Sequence, residues 1–150
     1  MVDSYLKKYV KKCTQKIARR YKKHPGWFGY ESDFHADLYF LLNHVDMRFW
    51  DTCSVELGSK PNFHGIDLVI NNPDNESKKA YIEIKYYNRR ALIKHDLERL
   101  AKKKGERIFI YFGDTREKEK RRENSLQKLK RKHKKIHIFY IYPGKMLKEI

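Results

Sequence analysis

At 150 residues the chain is long enough for one domain with a hydrophobic core and too short for two of ordinary size. With 40% apolar and 14% aromatic residues there is enough to bury, so the 36% charged residues belong to a surface and not to a disordered chain. No run approaches the roughly 18 consecutive apolar residues that span a bilayer, and the first residues, MVDSYLKKYVKK, lack the apolar centre of a signal peptide, so a soluble intracellular protein is expected, cytoplasmic or nucleoid-associated.

Cys13 and Cys53 form no CxxC pair and no disulfide framework, and both read as buried thiols. The net charge of +16 is unevenly placed. Residues 1–23 hold nine Lys/Arg against Asp3, and residues 116–135 hold eleven against Glu117, Glu119 and Glu123. Each segment nets +8, and the remainder nets to zero. A balanced middle between two basic arms predicts a surface for a polyanion, and nucleic acid is favoured over an anionic membrane.

In chain order, Val2, Leu6, Tyr9, Cys13, Ile17 and Tyr21 recur at steps of three and four among cations, which predicts a basic amphipathic helix over 1–23. HPGWFG (24–29) breaks it. Phe34, Leu38, Leu41, Leu42 and Val45 mark a second helix over 31–45, with Ser32 as its expected cap and Glu31 at its start. Val55 and Leu57 read as the end of a strand, and GSKPNFHG as a loop. IDLVI (66–70) and AYIEIKYY (80–87) read as two strands joined by the turn-rich NNPDNESKK.

A helix follows over about 90–104, stopped at Gly105. RIFIYFG (107–113) is a buried strand, 115–133 a second basic helix, and KIHIFYIYP a closing strand. The order predicts an α/β domain over 1–150 with a mixed β-sheet flanked by helices: a basic helix over 1–23, a core over 30–113, and a basic helix with a final strand over 114–150.

If the hairpin pairs Ile70 with Ala80, Asp67 faces Glu83, with Cβ atoms about 5 Å apart. Period two then sets Asp67, Glu83 and Lys85 on a polar face, and Ile66, Leu68, Ile70, Ile82 and Ile84 on a core face. Two converging carboxylates raise one another's pKa unless a cation neutralises them. Mg²⁺ and Mn²⁺ prefer such oxygen ligands, and a lysine two residues along would sit near the phosphate and the attacking water.

Asp67, fifteen residues, then Glu83-Ile84-Lys85 on an apolar strand resembles the PD-(D/E)xK nuclease superfamily, and the resemblance covers about 31–142. It implies a restriction endonuclease-like αβββαβ core, here with an extra N-terminal basic helix. It also implies a Mg²⁺-dependent (or Mn²⁺-dependent) deoxyribonuclease that hydrolyses phosphodiester bonds with structure-selective or nonspecific cleavage. By that resemblance Asp67 and Glu83 hold the metal together with the backbone carbonyl of Ile84, Lys85 supports the water, and Glu31 is the acid of the first helix, with Asp37 its competitor. The sequence departs from the pattern in three places. Ile66 stands for the motif's proline, the four cysteines of the iron–sulfur branch are missing, and no Gln-xxx-Tyr follows Lys85.

The triplet alone is common in a charged chain, since Glu76-Ser77-Lys78 repeats it in a turn. His64 and His35 read as ordinary histidines rather than ligands, Trp27 and Phe28 as packing residues, Tyr86 as core, and Tyr87 as a residue on the Glu83 side. Lys11, Lys12, Arg19 and Arg20 on the first arm and Arg121, Arg122, Lys130 and Arg131 on the second are the expected phosphate contacts, with DNA as the expected partner and a homodimer as a further expectation. The alternative is a nucleic-acid-binding protein that keeps the fold without catalysis.

Overall fold

The computed structural model describes residues 5–24, 26, 28–44, 54–57, 66–71, 79–87 and 90–150. Val2, Trp27, Cys53, His64 and the Glu76-Ser77-Lys78 triplet lie outside them. Helix α1 (Tyr5–Lys23) buries Leu6, Tyr9, Val10, Cys13, Ile17 and Tyr21, the face its three-and-four spacing requires. Helix α2 (Glu31–His44) begins one residue before Ser32, the expected cap. The cap comes from inside the first turn, where one Asp33 carboxylate oxygen accepts the amides of Gly29 and Tyr30, both at 2.9 Å.

Six strands form one sheet in sequence order: β1 (Ser54–Leu57), β2 (Leu68–Asn71), β3 (Ala80–Tyr86), β4 (Glu106–Phe112), β5 (Ile136–Ile141) and the two-residue β6 (Lys148–Glu149). The first three run as an antiparallel meander. β3, β4 and β5 are parallel, and β6 returns antiparallel. Parallel neighbours need crossovers, and these are α3 (Arg90–Ala101) and α4 (Glu119–Lys132). The protein is therefore α/β, with a mixed sheet flanked by helices. Among the described residues no helix is long and apolar enough to cross a membrane.

Alternation along the strands feeds two cores. Leu68, Ile70, Ile82, Ile84, Ile108, Ile110, Phe112, Phe139 and Ile141 pack under α1 and α2. Val69, Phe109, Tyr111, Ile138 and Tyr140 pack under α3 and α4 with Ile93, Leu97, Leu100, Leu126 and Leu129. Two expectations change as a result. The Glu83 side of the sheet is not simply a polar face, because α3 and α4 roof it with a second apolar core. Ile66 joins that second core and not the face of Leu68, since the chain bends at Asp67 and β2 begins only at Leu68.

The first core is tied by rings. Phe34 stacks on Phe112 with centroids 3.9 Å apart and on Phe28 at 4.7 Å, with Tyr21 edge-on at 5.4 Å. Phe28 thus packs between the helices as its position predicted. Gly105, at φ 131°, closes α3 into β4 where a Cβ would lie 2.5 Å from the Lys79 carbonyl oxygen, so only glycine fits. At the far edge Glu149 pairs with Lys7 (2.6 Å) and Lys11 (2.8 Å), fastening the C-terminal strand to α1.

Replacing Phe34 with alanine removes a fully buried ring from between α2 and the sheet. The expected loss is about 3–5 kcal/mol in urea unfolding; a loss below about 1 kcal/mol would show that the aromatic stack does not anchor α2.

Candidate functional site

The hairpin register is Leu68 with Ile82 and Ile70 with Ala80; Asp67 lies in the bend just before β2, where its side chain meets that of Glu83. β2 starts only at Leu68, opposite Ile82, whereas β3 runs on to Tyr86. The amides on that side of the overhanging strand are taken by carboxylates. Ile84 N–H donates to Asp67 Oδ2 at 2.7 Å, and Tyr86 N–H donates to Glu31 Oε2 at 3.2 Å. A buried amide needs an acceptor, and these two bonds hold both acids in fixed positions at the strand edge. Glu31 therefore joins the cluster, while Asp37, its competitor, faces α1 and pairs with Arg20 at 2.6 Å.

His35, one helical turn after Glu31, lies between the two acids. Its Nε2 is 3.6 Å from Glu31 Oε1 and 3.7 Å from Asp67 Oδ2, buried and without a hydrogen-bond partner. One ligand atom each from Glu31, His35 and Asp67 lies within 4.8 Å of the others, close enough to surround a single cation. Carboxylates with one oxygen engaged keep free lone pairs for such an ion. The sequence reading had discounted His35. Its i, i+4 spacing from Glu31 was the available signal, and it became meaningful only with Asp67 alongside.

Glu83 and Lys85 point to the other side of β3, under α3. Glu83 is 2% exposed, with Oε1 3.2 Å from Arg99 Nε. Lys85 Nζ is 2.9 Å from Asp96 Oδ2, and Asp96 Oδ1 pairs with Arg99 at 2.6 Å. Asp96 and Arg99, three residues apart on α3, thus supply a partner of opposite sign to each member of the Glu-x-Lys pair. Neither had been singled out from the sequence, because both read as ordinary charges on a helix.

Burial, followed by the Asp67 and Asp96 carboxylates, raises the Glu83 pKa far above the usual carboxylate range, and Arg99 only partly opposes this. Glu83 therefore keeps its proton near neutral pH. Burial works against the charge on Lys85 and on His35, yet the surrounding carboxylates prevail and raise both. Burial also opposes the charge on Glu31, but His35, the Tyr86 amide and Lys85 outweigh it, and Glu31 stays below its ordinary value.

The expected phosphate contacts fall into two groups. Lys11, Arg20, Arg122 and Lys130 are engaged within the molecule, with Glu149, Asp37, Glu117, and the carbonyl oxygens of Lys134 and Ile136 respectively. Lys12, Arg19, Arg121 and Arg131 are exposed. The two basic arms lie on opposite faces of the sheet, α1 over the first core and α4 over the second.

The folded chain holds a proton at Glu83 that the unfolded chain sheds above the ordinary value of 4.5, so stability without divalent cations falls as pH rises from there towards about 10. Glu83→Gln, which needs no proton, should flatten that fall in chelator; an unchanged slope would mean Glu83 is not the group responsible. Arg99→Met leaves the buried Asp96 carboxylate with Lys85 as its remaining cation and should cost about 2–3 kcal/mol, below the full range for broken buried pairs because Lys85 stays and the guanidinium is partly exposed. In an Asp96→Asn background Arg99→Met should cost much less, and equal costs in both backgrounds would deny the Asp96–Arg99 pair any stabilising role.

No protein-family model, curated protein or solved structure matches the chain.

Proposed function

We propose that the protein is a metal-dependent nuclease with a restriction endonuclease-like core, hydrolysing phosphodiester bonds in nucleic acid, DNA being the first substrate to test. The observation that carries the reading is the convergence of Glu31, His35 and Asp67 at the edge of β3, with the Glu83 carboxyl against Asp67 and the Lys85 ammonium close by on the α3 side. The run from α2 through β1, β2 and β3 to α3 and β4 also follows the αβββαβ order of that core.

The residues fit a divalent cation on three counts. Three potential ligand atoms converge, one of them a buried imidazole nitrogen without a hydrogen-bond partner, and burial together with the neighbouring acids keeps a proton on Glu83. Glu31, His35 and Asp67 would hold the ion, with the Glu83 carboxyl beside Asp67 and the Ile84 carbonyl as further donors. An imidazole in the set favours Mn²⁺ over Mg²⁺, which takes oxygen almost exclusively. When bound, such an ion supplies an acidified water and offsets charge on the phosphate.

The chain's own groups do the rest. The Ile84 and Tyr86 amides hold Asp67 and Glu31 so that neither carboxylate has to reorganise. Asp96 anchors the Lys85 ammonium beside the acids, where it stabilises negative charge developing on the attacking and equatorial oxygens. A divalent ion beside Asp67 would favour the ionised form of Glu83, so Mn²⁺ affinity should tighten as pH rises.

A second reading has its own support. Glu83 and Lys85 are each offset by a charge from α3, and Asp67 and Glu31 each cap a β3 amide, so the cluster is electrostatically served without any ion. A non-catalytic nucleic-acid-binding protein would look the same.

Cleavage separates the two. Protein with Mn²⁺ or Mg²⁺ should cut at least one of a panel of single-stranded, duplex, flap and four-way DNA or RNA substrates. Asp67→Ala, Glu83→Ala and Lys85→Met should each lower the rate by at least about 100-fold. Binding without cleavage, or equal residual cleavage by wild type and Glu83→Ala, would sink the nuclease reading in favour of the second.

A further inference from the structure

A cavity of about 710 Å³ opens at the start of α4, lined by Tyr87, Arg116, Glu117, Lys118, Arg121, Arg122, Asn124, Ser125 and Lys128. Five cations face a single acid, and that acid, Glu117, is already engaged by Arg122 (2.8 Å) and by the Tyr111 hydroxyl (3.0 Å). Among the described residues Lys118, Arg121 and Lys128 have no ion-pair partner. Concentrating positive charge in a concavity raises its potential well above that of a flat surface. The wall also contains the Ser125 hydroxyl oxygen, buried and without a hydrogen-bond partner.

Tyr87 is the lining residue that follows the end of β3. It lies two residues after Lys85, a separation of about 7 Å along an extended chain, which is close to one nucleotide step. Its ring carries the Arg116 guanidinium 4.4 Å from the centroid. Arg116 is held there by Asp114 (2.8 Å), whose second oxygen accepts the Tyr86 hydroxyl at 2.6 Å. A relay of Tyr86, Asp114, Arg116 and Tyr87 thus fixes a flat cation on a flat ring at the end of β3. Bases stack on both aromatic rings and guanidinium planes.

We infer that this groove binds single-stranded polynucleotide, a segment of a few nucleotides whose phosphates meet Arg121, Lys118 and Lys128 while a base stacks at the Arg116–Tyr87 pair. The direction of the strand towards Lys85 and Glu83 rests on the nuclease reading; the groove itself does not. A concave channel with a stacking platform at one end suits bases splayed from a strand, whereas the convex flank of a duplex meets only its rim. The α1 arm is the lesser contact, since Lys7 and Lys11 are engaged by Glu149, Arg20 by Asp37, and the helix covers the opposite face of the sheet.

The test is fluorescence anisotropy in EDTA, where nothing is cut, with labelled 12-nucleotide single-stranded DNA, single-stranded RNA and duplex DNA across a salt series. Wild type should bind single strands at least tenfold more tightly than duplex. Arg121→Gln/Lys128→Gln should weaken that binding at least tenfold and reduce the slope of log K against log salt by about 1.4, two phosphate contacts at about 0.7 each. Tyr87→Leu should weaken it about tenfold with the slope unchanged, because stacking releases no counterions. Lys12→Gln/Arg19→Gln on α1 should stay within twofold of wild type.

Thermal unfolding within about 2 °C of wild type identifies variants fit for comparison, and Lys118→Gln replaces any that fails. Affinity within twofold of wild type in the groove variants, an equal loss from the α1 pair, or duplex bound as tightly as single strands would overturn the assignment. Groove-dependent binding with no cleavage under any metal leaves the groove standing and removes the nuclease. Metal-dependent cleavage alongside groove-independent binding does the reverse.

Discussion

β3 is longer on one side than the strand that pairs with it, and everything at the candidate site follows from that overhang. Backbone amides beyond the end of β2 need acceptors, and the chain supplies them from side chains, Asp67 for Ile84 and Glu31 for Tyr86. The second of these bonds joins α2 to the edge of the sheet and carries His35 in beside Asp67. Because the acids are held by the backbone, their separation is set by strand geometry and not by flexible side-chain choice.

Concentrating acids in this way has an electrostatic cost, and the molecule meets it from the opposite side of the strand. Residues 83 and 85 project towards α3, where Arg99 and Asp96 face them with inverted sign. The compensation is uneven. Lys85 is stabilised in its charged form, but for Glu83 the burial and the neighbouring acids outweigh Arg99, and the carboxyl holds its proton. A site that retains a proton is one that a divalent ion can enter by exchange, giving the metal-binding proposal a physical basis beyond the convergence of carboxylates.

The two basic segments carry equal charge but have different roles in the fold. α1 turns several cations inward to fasten the C-terminal strand and α2, so much of its charge is structural. α4 presents its first turns to a cavity beside the end of β3, leaving Lys118, Arg121 and Lys128 facing open space in the groove. Further along α4, the ammonium of Lys130 closes the turn into β5 instead of meeting a ligand.

How much of this was legible in the sequence depends on the range of the interactions involved. Period-two alternation in IDLVI and YIEIKYY was enough to say which residues share a face. The register of Ile70 with Ala80 entered as an assumption, since a slip of one pair keeps every isoleucine on its face and only the folded hairpin excludes it. The helix-strand order and the α/β class were readable for the same local reason, and the stop at Gly105 needed only a backbone position that excludes a Cβ. Tertiary structure alone decided what faces what. It chose Glu31 over Asp37, set His35 between two acids, brought Asp96 and Arg99 over Glu83 and Lys85, and spent one basic arm on internal ion pairs while opening the other to a groove. Each of those outcomes depends on the angle at which a helix crosses the sheet, which side-chain packing far along the chain determines and no local pattern encodes.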